Sequence, residues 1–141
     1  MLSTKISDFF KTQPILAAYL FGSQATGKVG PLSDYDFGIW LDFKVAKSRY
    51  FDLQIELLNK LSLFLKTDKI DVVILNQANS NLAMSVIRGK LLYEKEAELR
   101  IEFEVKVMKE YLDREYYEKR FAEYLKKSIL SNYGRTKTTI G

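Results

Sequence analysis

The chain has 141 residues, 47% apolar and 28% charged, which is enough for one hydrophobic core and too little for two. It contains no cysteine and no histidine. That excludes disulfides, thiol nucleophiles, Cys/His zinc sites and imidazole general bases, so any catalysis must run on carboxylates, hydroxyls, amines, backbone groups or a metal held by oxygen. Lys and Arg number 22 against 18 Asp and Glu, a net charge of +4. All of that excess lies at the end. Lys126, Lys127, Arg135 and Lys137 face no acid within residues 126–141, and the rest of the chain is neutral. The charge therefore describes a basic C-terminus and no nucleic-acid-binding surface.

The first residues carry Lys5, Asp8 and Lys11 without a long apolar run, unlike a signal peptide. The apolar run at 15–21 is too short to span a bilayer. A cytoplasmic protein without a membrane segment is the expectation.

In chain order, residues 3–13 read as a short helix, with Ile6, Phe9 and Phe10 at helical spacing and Pro14 as a stop. Residues 15–21 (ILAAYLF) read as a buried strand, and 22–31, with three glycines and a proline, as a loop. Residues 35–41 (YDFGIWL) are a second strand. Residues 49–66 are an amphipathic helix carrying Tyr50, Leu53, Leu57, Leu58, Leu61, Phe64 and Leu65 on one side. A β-branched third strand follows at 69–75, then a short helix at 81–88 and an edge strand at 91–93. From Glu96 to about Ile129 the pattern is one long helix without Gly or Pro. The expected organisation is a single domain over 1–130 and a mobile basic tail over 131–141. Strands alternating with helices give an α/β or α+β domain around a small sheet.

The chemistry concentrates where the first strand gives way to the second. The first strand ends in Gly22-Ser23, ten residues follow, and then come Asp34, Tyr35 and Asp36. Residues two apart on a strand share a face, about 6.6 Å apart. Two carboxylates so placed repel each other, and a divalent cation removes the conflict. Mg²⁺ suits hard oxygen donors and commonly takes one or two carboxylates together with substrate phosphates. Gly22 lets backbone approach a ligand, and Ser23 offers a hydroxyl beside amides that suit an anion. Asp71 is the only acid in the apolar run 70–75, and an acid at the start of a buried strand is costly unless it has a role or a partner. If its strand neighbours the second one, Asp71 joins the pair, either sharing a second metal or accepting the proton of an attacking hydroxyl. Singly, each piece has an ordinary reading: a turn, a solvated strand edge, a salt-bridge partner for Lys69. Their ordered combination points to a nucleoside-triphosphate site.

These residues resemble the minimal nucleotidyltransferase family of the DNA polymerase β-like superfamily, whose signature is Gly-Ser, a ten-residue gap and Asp-x-Asp. The flanking LFGSQATG, SDYDFGIWLD, KIDVVILNQAN and IRGKLLYEKE agree with it, over about residues 15–95. The resemblance implies a small mixed sheet flanked by helices, ending in a long C-terminal helix. It also implies transfer of a nucleoside monophosphate from a triphosphate to a hydroxyl. Gly22 and Ser23 would take the triphosphate, and Asp34, Asp36 and Asp71 would serve as catalytic carboxylates holding Mg²⁺ in a two-metal site. Many members carry a basic residue where this chain has Thr26, and Lys28 lies two residues on. Small stand-alone members are similar to this chain in size. They are antitoxins of HEPN/MNT pairs, which transfer AMP from ATP to a tyrosine of a HEPN-domain ribonuclease toxin. Two alternatives stand beside that reading. One is an antitoxin that neutralises by binding alone; the other is a nucleotidyltransferase for a small molecule or RNA.

At 100° per residue, Ile101, Val105, Met108 and Leu112 of the long helix fall on one face. Leu99, Phe103, Val107, Tyr117, Phe121, Tyr124 and Leu125 fall on another. One face should pack on the sheet. The other is expected to meet a partner, on the resemblance a HEPN toxin.

Overall fold

The computed structural model describes residues 2–22 and 34–140, and their side chains from 4 to 132. Four strands form one mixed sheet in the order β3-β2-β1-β4. β1 (Ile15–Phe21) lies inside it, antiparallel to both β2 (Tyr35–Leu41) and β4 (Lys90–Glu94). A strand covered on both faces reads as a continuous apolar run, and Ile15 to Tyr19 are all buried. β3 (Ile70–Ile74) pairs with β2 in parallel. That arrangement needs a crossover, supplied by α2 (Tyr50–Leu65), which buries Leu53, Leu57 and Leu61.

In β2 the side chains alternate between two cores. Phe37, Ile39 and Leu41 enter the core under α1 (Leu2–Lys11) and α2, with Ile6, Phe10, Leu57 and Leu61. Trp40 enters the core on the opposite side, under α3 (Ser80–Ile87) and the start of α4 (Ala97–Ile140), with Tyr19, Val86 and Val107. Gly38 lies on this second face, where a Cβ would run into the side chain of Val86. We expect Gly38→Ala to destabilise the fold by about 1–3 kcal/mol through overpacking, measured as a shift in the urea midpoint.

Three contacts seat α4 on the sheet. The Phe103 ring stacks on Trp40 with centroids 4.4 Å apart. The Tyr19 hydroxyl donates to Glu104 at 3.2 Å, and Arg100 bridges Glu94 at 2.7 Å and Glu104 at 3.0 Å. Burial, and next the neighbouring Glu104, push the Tyr19 hydroxyl well above its ordinary value of 10.0. In the unfolded chain Tyr19 ionises near that ordinary value; in the folded chain it holds its proton. Stability is therefore complete below pH 10 and falls as pH rises beyond it, by up to about 1.4 kcal/mol per pH unit. Urea unfolding between pH 9 and 11 should show that slope flattened in Tyr19→Phe, whose lost hydrogen bond costs about 1 kcal/mol at neutral pH.

Most elements lie within two residues of the bounds read from sequence. The last helix does not end near Ile129; it continues to Ile140. Residues 131–140 contain no proline, and a lone glycine, Gly134, costs a helix only about 1 kcal/mol. Both faces of α4 carry exposed apolar side chains. Leu99, Phe103 and Val107 pack on the sheet, while Tyr117, Phe121 and Tyr124, in line with them, are exposed. The helix outruns the domain it packs on.

Candidate active site

β2 and β3 are parallel and begin at the same end of the sheet; β1 is antiparallel and finishes there. The topology thus gathers Gly22, Asp34, Asp36 and Asp71 at one edge. Phe21 is the register partner of Asp36 on one side, and Asp71 is its partner on the other. The Tyr35 amide donates to the Lys69 carbonyl at 2.8 Å, fixing the parallel register where both strands start. Paired residues project to the same face, and Asp34 lies two residues before Asp36. All three acids therefore belong to the sheet face that α3 and α4 cover further along.

Asp36 is the centre of this group. It is half-buried, whereas Asp34 and Asp71 are exposed. Burial first, then the charge of Asp71, then that of Asp34, hold its carboxyl above the ordinary carboxylate range. Gly22 sits directly against it. Its φ is +75°, a left-handed conformation, and a Cβ there would collide with Asp36 Oδ2. The turn after β1 and the carboxylate of β2 are thus in contact through a position that excludes any side chain.

Asp71 differs from the sequence reading in one respect. It is exposed, because β3 is an edge strand and Asp71 stands near its open end; burial imposes no cost on it. Ser23, Thr26 and Lys28 lie outside the described residues. The sequence reading also did not place Arg88 and Lys90 at this end. Lys90 is the register partner of Leu20, and a Cβ on Gly89 would touch the Leu20 carbonyl oxygen and the Phe21 Cα. The Arg88 guanidinium lies 5.3 Å from the centre of the Tyr111 ring. The signal was a glycine right after an apolar helix, which brings the next strand tight against β1.

The donor set is all oxygen and negatively charged, which fits Mg²⁺ better than a softer ion. Among the described residues no three acids close into a ready-made cage. Two or three carboxylates with open positions are the arrangement in which phosphate oxygens complete the shell.

A model of the polymerase beta nucleotidyltransferase family matches residues 4–98, from α1 into the start of α4. The chain belongs to this family. The match encloses the whole sheet and every candidate site residue. Within the family, the chain is 34% identical to the protein adenylyltransferase MntA of Aphanizomenon flos-aquae (strain 2012/KM1/D3), over 63% of this chain. It spans 63% of the length of that curated relative. The fold of this nucleotidyltransferase domain is also that of solved toxin–antitoxin structures. One, a toxin–antitoxin crystal structure with AMP-PNP, has a TM-score of 0.69 at 22% identity, covering 89% of this chain and 98% of the other. A second holds the tri-AMPylated Shewanella oneidensis HEPN toxin in complex with MNT antitoxin; its TM-score is 0.62 at 20% identity, with 88% and 95% covered.

Proposed function

We propose that this chain is a nucleotidyltransferase antitoxin that transfers AMP from ATP to a tyrosine hydroxyl of a partner HEPN-domain toxin. The observation that carries the reading is the register pairing of Asp36 with Asp71 across parallel strands, hard against the Gly22 turn. Like charges have been assembled where phosphate can approach backbone. Family membership supports the reaction class. The likeness to a protein adenylyltransferase and to complexes containing AMP-PNP and an AMPylated HEPN toxin supports the nucleotide and the acceptor.

In this reading Gly22 and Ser23 present backbone and hydroxyl donors to the terminal phosphates. Asp34, Asp36 and Asp71 would hold Mg²⁺, which when bound supplies charge neutralisation and polarises the phosphate. The acceptor hydroxyl oxygen forms a bond to the α-phosphorus and the α–β anhydride bond breaks. Pyrophosphate leaves, and Asp71, the exposed acid of β3, takes the hydroxyl proton. The partner meets the second apolar face of α4, where Ile101, Val105, Met108 and Leu112 are all exposed. Transfer and toxin share the cytoplasm. Among the described residues no helix is long and apolar enough to cross a membrane.

The exposed faces of α4 also favour a second reading, neutralisation by binding alone. Intact-mass measurement separates the two. The chain is incubated with ATP, Mg²⁺ and the HEPN-domain protein encoded beside it. An AMP increment on the partner supports transfer. A neutralised partner of unchanged mass overturns transfer in favour of masking.

A further inference from the structure

The end of β2 opposite the carboxylates carries a second cleft. Trp40 stands four residues beyond Asp36, about 13 Å along the strand, and forms part of the wall of a cavity of about 420 Å³. The cavity lies between the turn Leu75–Gln77, the start of α3 and the first turns of α4. Among the described residues its lining includes none of Asp34, Asp36 and Asp71. Its size falls in the range of small-molecule sites.

The walls are flat and apolar. Besides the Phe103 ring that stacks on Trp40, Phe43 meets Trp40 edge-on with centroids 5.6 Å apart. Trp40 is 7% exposed, whereas Phe43 is 69% exposed, so most of its ring has no neighbour. Leu75, Leu99 and Val107 add to the apolar lining. Two uncharged polar side chains line the same cavity, Asn76 and Ser80. Asn76 is committed: its Oδ1 accepts from the Leu41 amide at 2.8 Å, and its Nδ2 donates to the Leu41 carbonyl at 3.2 Å. Ser80 is not. Its hydroxyl oxygen is buried and has no hydrogen-bond partner among the described residues. A buried hydroxyl left unpaired costs stability. Ser80 is the first residue of α3, with no preceding helical turn to restrict χ1, so rotating its hydroxyl into the cavity breaks no bond.

The geometry points to a second ligand site in this cleft, for a small, uncharged, planar aromatic molecule whose ring lies against Trp40 and Phe43 and whose polar edge meets the Ser80 hydroxyl. The site is separate from the carboxylate end and stands whether or not the chain transfers AMP. Ring walls of this kind offer the offset and edge contacts that aromatic rings prefer. The ligand's polar edge gives Ser80 the partner it lacks. The rim argues for an uncharged molecule. Glu102, Lys106 and Glu110 are exposed there on one side of α4, about 6 Å apart in turn. Opposite signs alternate, so a charged ligand meets a repulsion beside every attraction. It would also lose hydration against apolar walls without one matched counter-charge.

Trp40 is the one tryptophan of the chain, so emission excited at the red edge of tryptophan absorption reports this cleft alone. The probes are benzyl alcohol, benzylammonium and benzoate, which share a ring and differ in charge. Benzyl alcohol should change Trp40 emission saturably, with a Kd on the order of 10 mM or tighter, the scale for a one-ring molecule. The two ions should bind at least about tenfold more weakly. Ser80→Ala should bind benzyl alcohol about fivefold more weakly, while its thermal midpoint stays level or rises because the unpaired hydroxyl is gone. Phe43→Ala, at an exposed position, should also weaken binding about fivefold. ATP with Mg²⁺ should leave the Kd for benzyl alcohol unchanged. The inference is overturned by emission that never saturates, by ions that bind as tightly as the alcohol, or by either variant binding like the wild type. Displacement of benzyl alcohol by ATP would overturn it too, since the cleft would then belong to the nucleotide site.

Discussion

Asp36→Asn should reduce AMP transfer by on the order of 10³-fold, the scale for removing one preorganised charge from a site of this kind, while the folded state becomes no less stable. Asp36 is the carboxylate to which everything else at this edge is referred. Asp71 is its partner across β3, Asp34 precedes it by two residues, and Gly22 leans on its Oδ2. Asparagine keeps the shape and removes the charge. The burial cost and the repulsion from Asp71 and Asp34 that together hold the Asp36 carboxyl above its ordinary range disappear with it. Losing activity while keeping or raising the thermal midpoint is the mark of a group retained for chemistry against the interest of the fold. A second readout needs no turnover. Mg²⁺ should raise the midpoint of the wild type, because it binds the folded state alone, and should do so less in Asp36→Asn. A variant with full activity, or a wild type indifferent to Mg²⁺, would remove Asp36 from the centre of the site.

Gly22→Ala should lower transfer by about 100-fold, through position and not charge. Two penalties act at one methyl group. The left-handed backbone at φ +75° costs an L-residue about 1–2 kcal/mol. The new Cβ also occupies the place of Asp36 Oδ2, so either the turn or the carboxylate must shift. A displacement near 1 Å in a reacting site costs about 100-fold. The stability loss should stay within about 1–2 kcal/mol, since the position is exposed. Steady-state kinetics together with a urea midpoint separate the two effects. A variant as destabilised as expected but fully active would show that the contact between turn and carboxylate serves the fold alone.

How much of this was legible in the sequence depends on whether a signal was local. β1 and β2 coincide with their sequence bounds, because ILAAYLF and YDFGIWL are short apolar runs closed off by Pro14, Gly22 and Asp42. The pair Asp34 and Asp36 was legible from spacing alone. The pairing of Asp36 with Asp71 was conditional, since residues 35 apart meet only if their strands are neighbours, and periodicity does not report strand order. Exposure was misjudged at Asp71 for the same reason: an apolar run looks identical in a central strand and in an edge strand. The long helix showed two apolar faces in the sequence. That one of them serves the sheet for its first turns and then faces open space follows from where the sheet ends, and no local pattern carries that. Arg88 and Lys90 reach this end of the sheet through the close approach of Gly89 to β1, a tertiary contact, with Lys90 beside Leu20 and Tyr35 on the face opposite the acids.

The edge position of β3 has a consequence for solubility. Its sequence, Ile70-Asp71-Val72-Val73-Ile74, is β-branched at every position but one, and among the described residues one side of its backbone has no strand beside it. Such a segment is a template for edge-to-edge association and aggregation, which charge on an edge strand opposes. Asp71 supplies that charge from within the strand. On the proposed function the carboxylate that would take a proton from the acceptor is also the gatekeeper of the sheet's open border, so selection for a soluble chain and selection for an active one would act on it in the same direction.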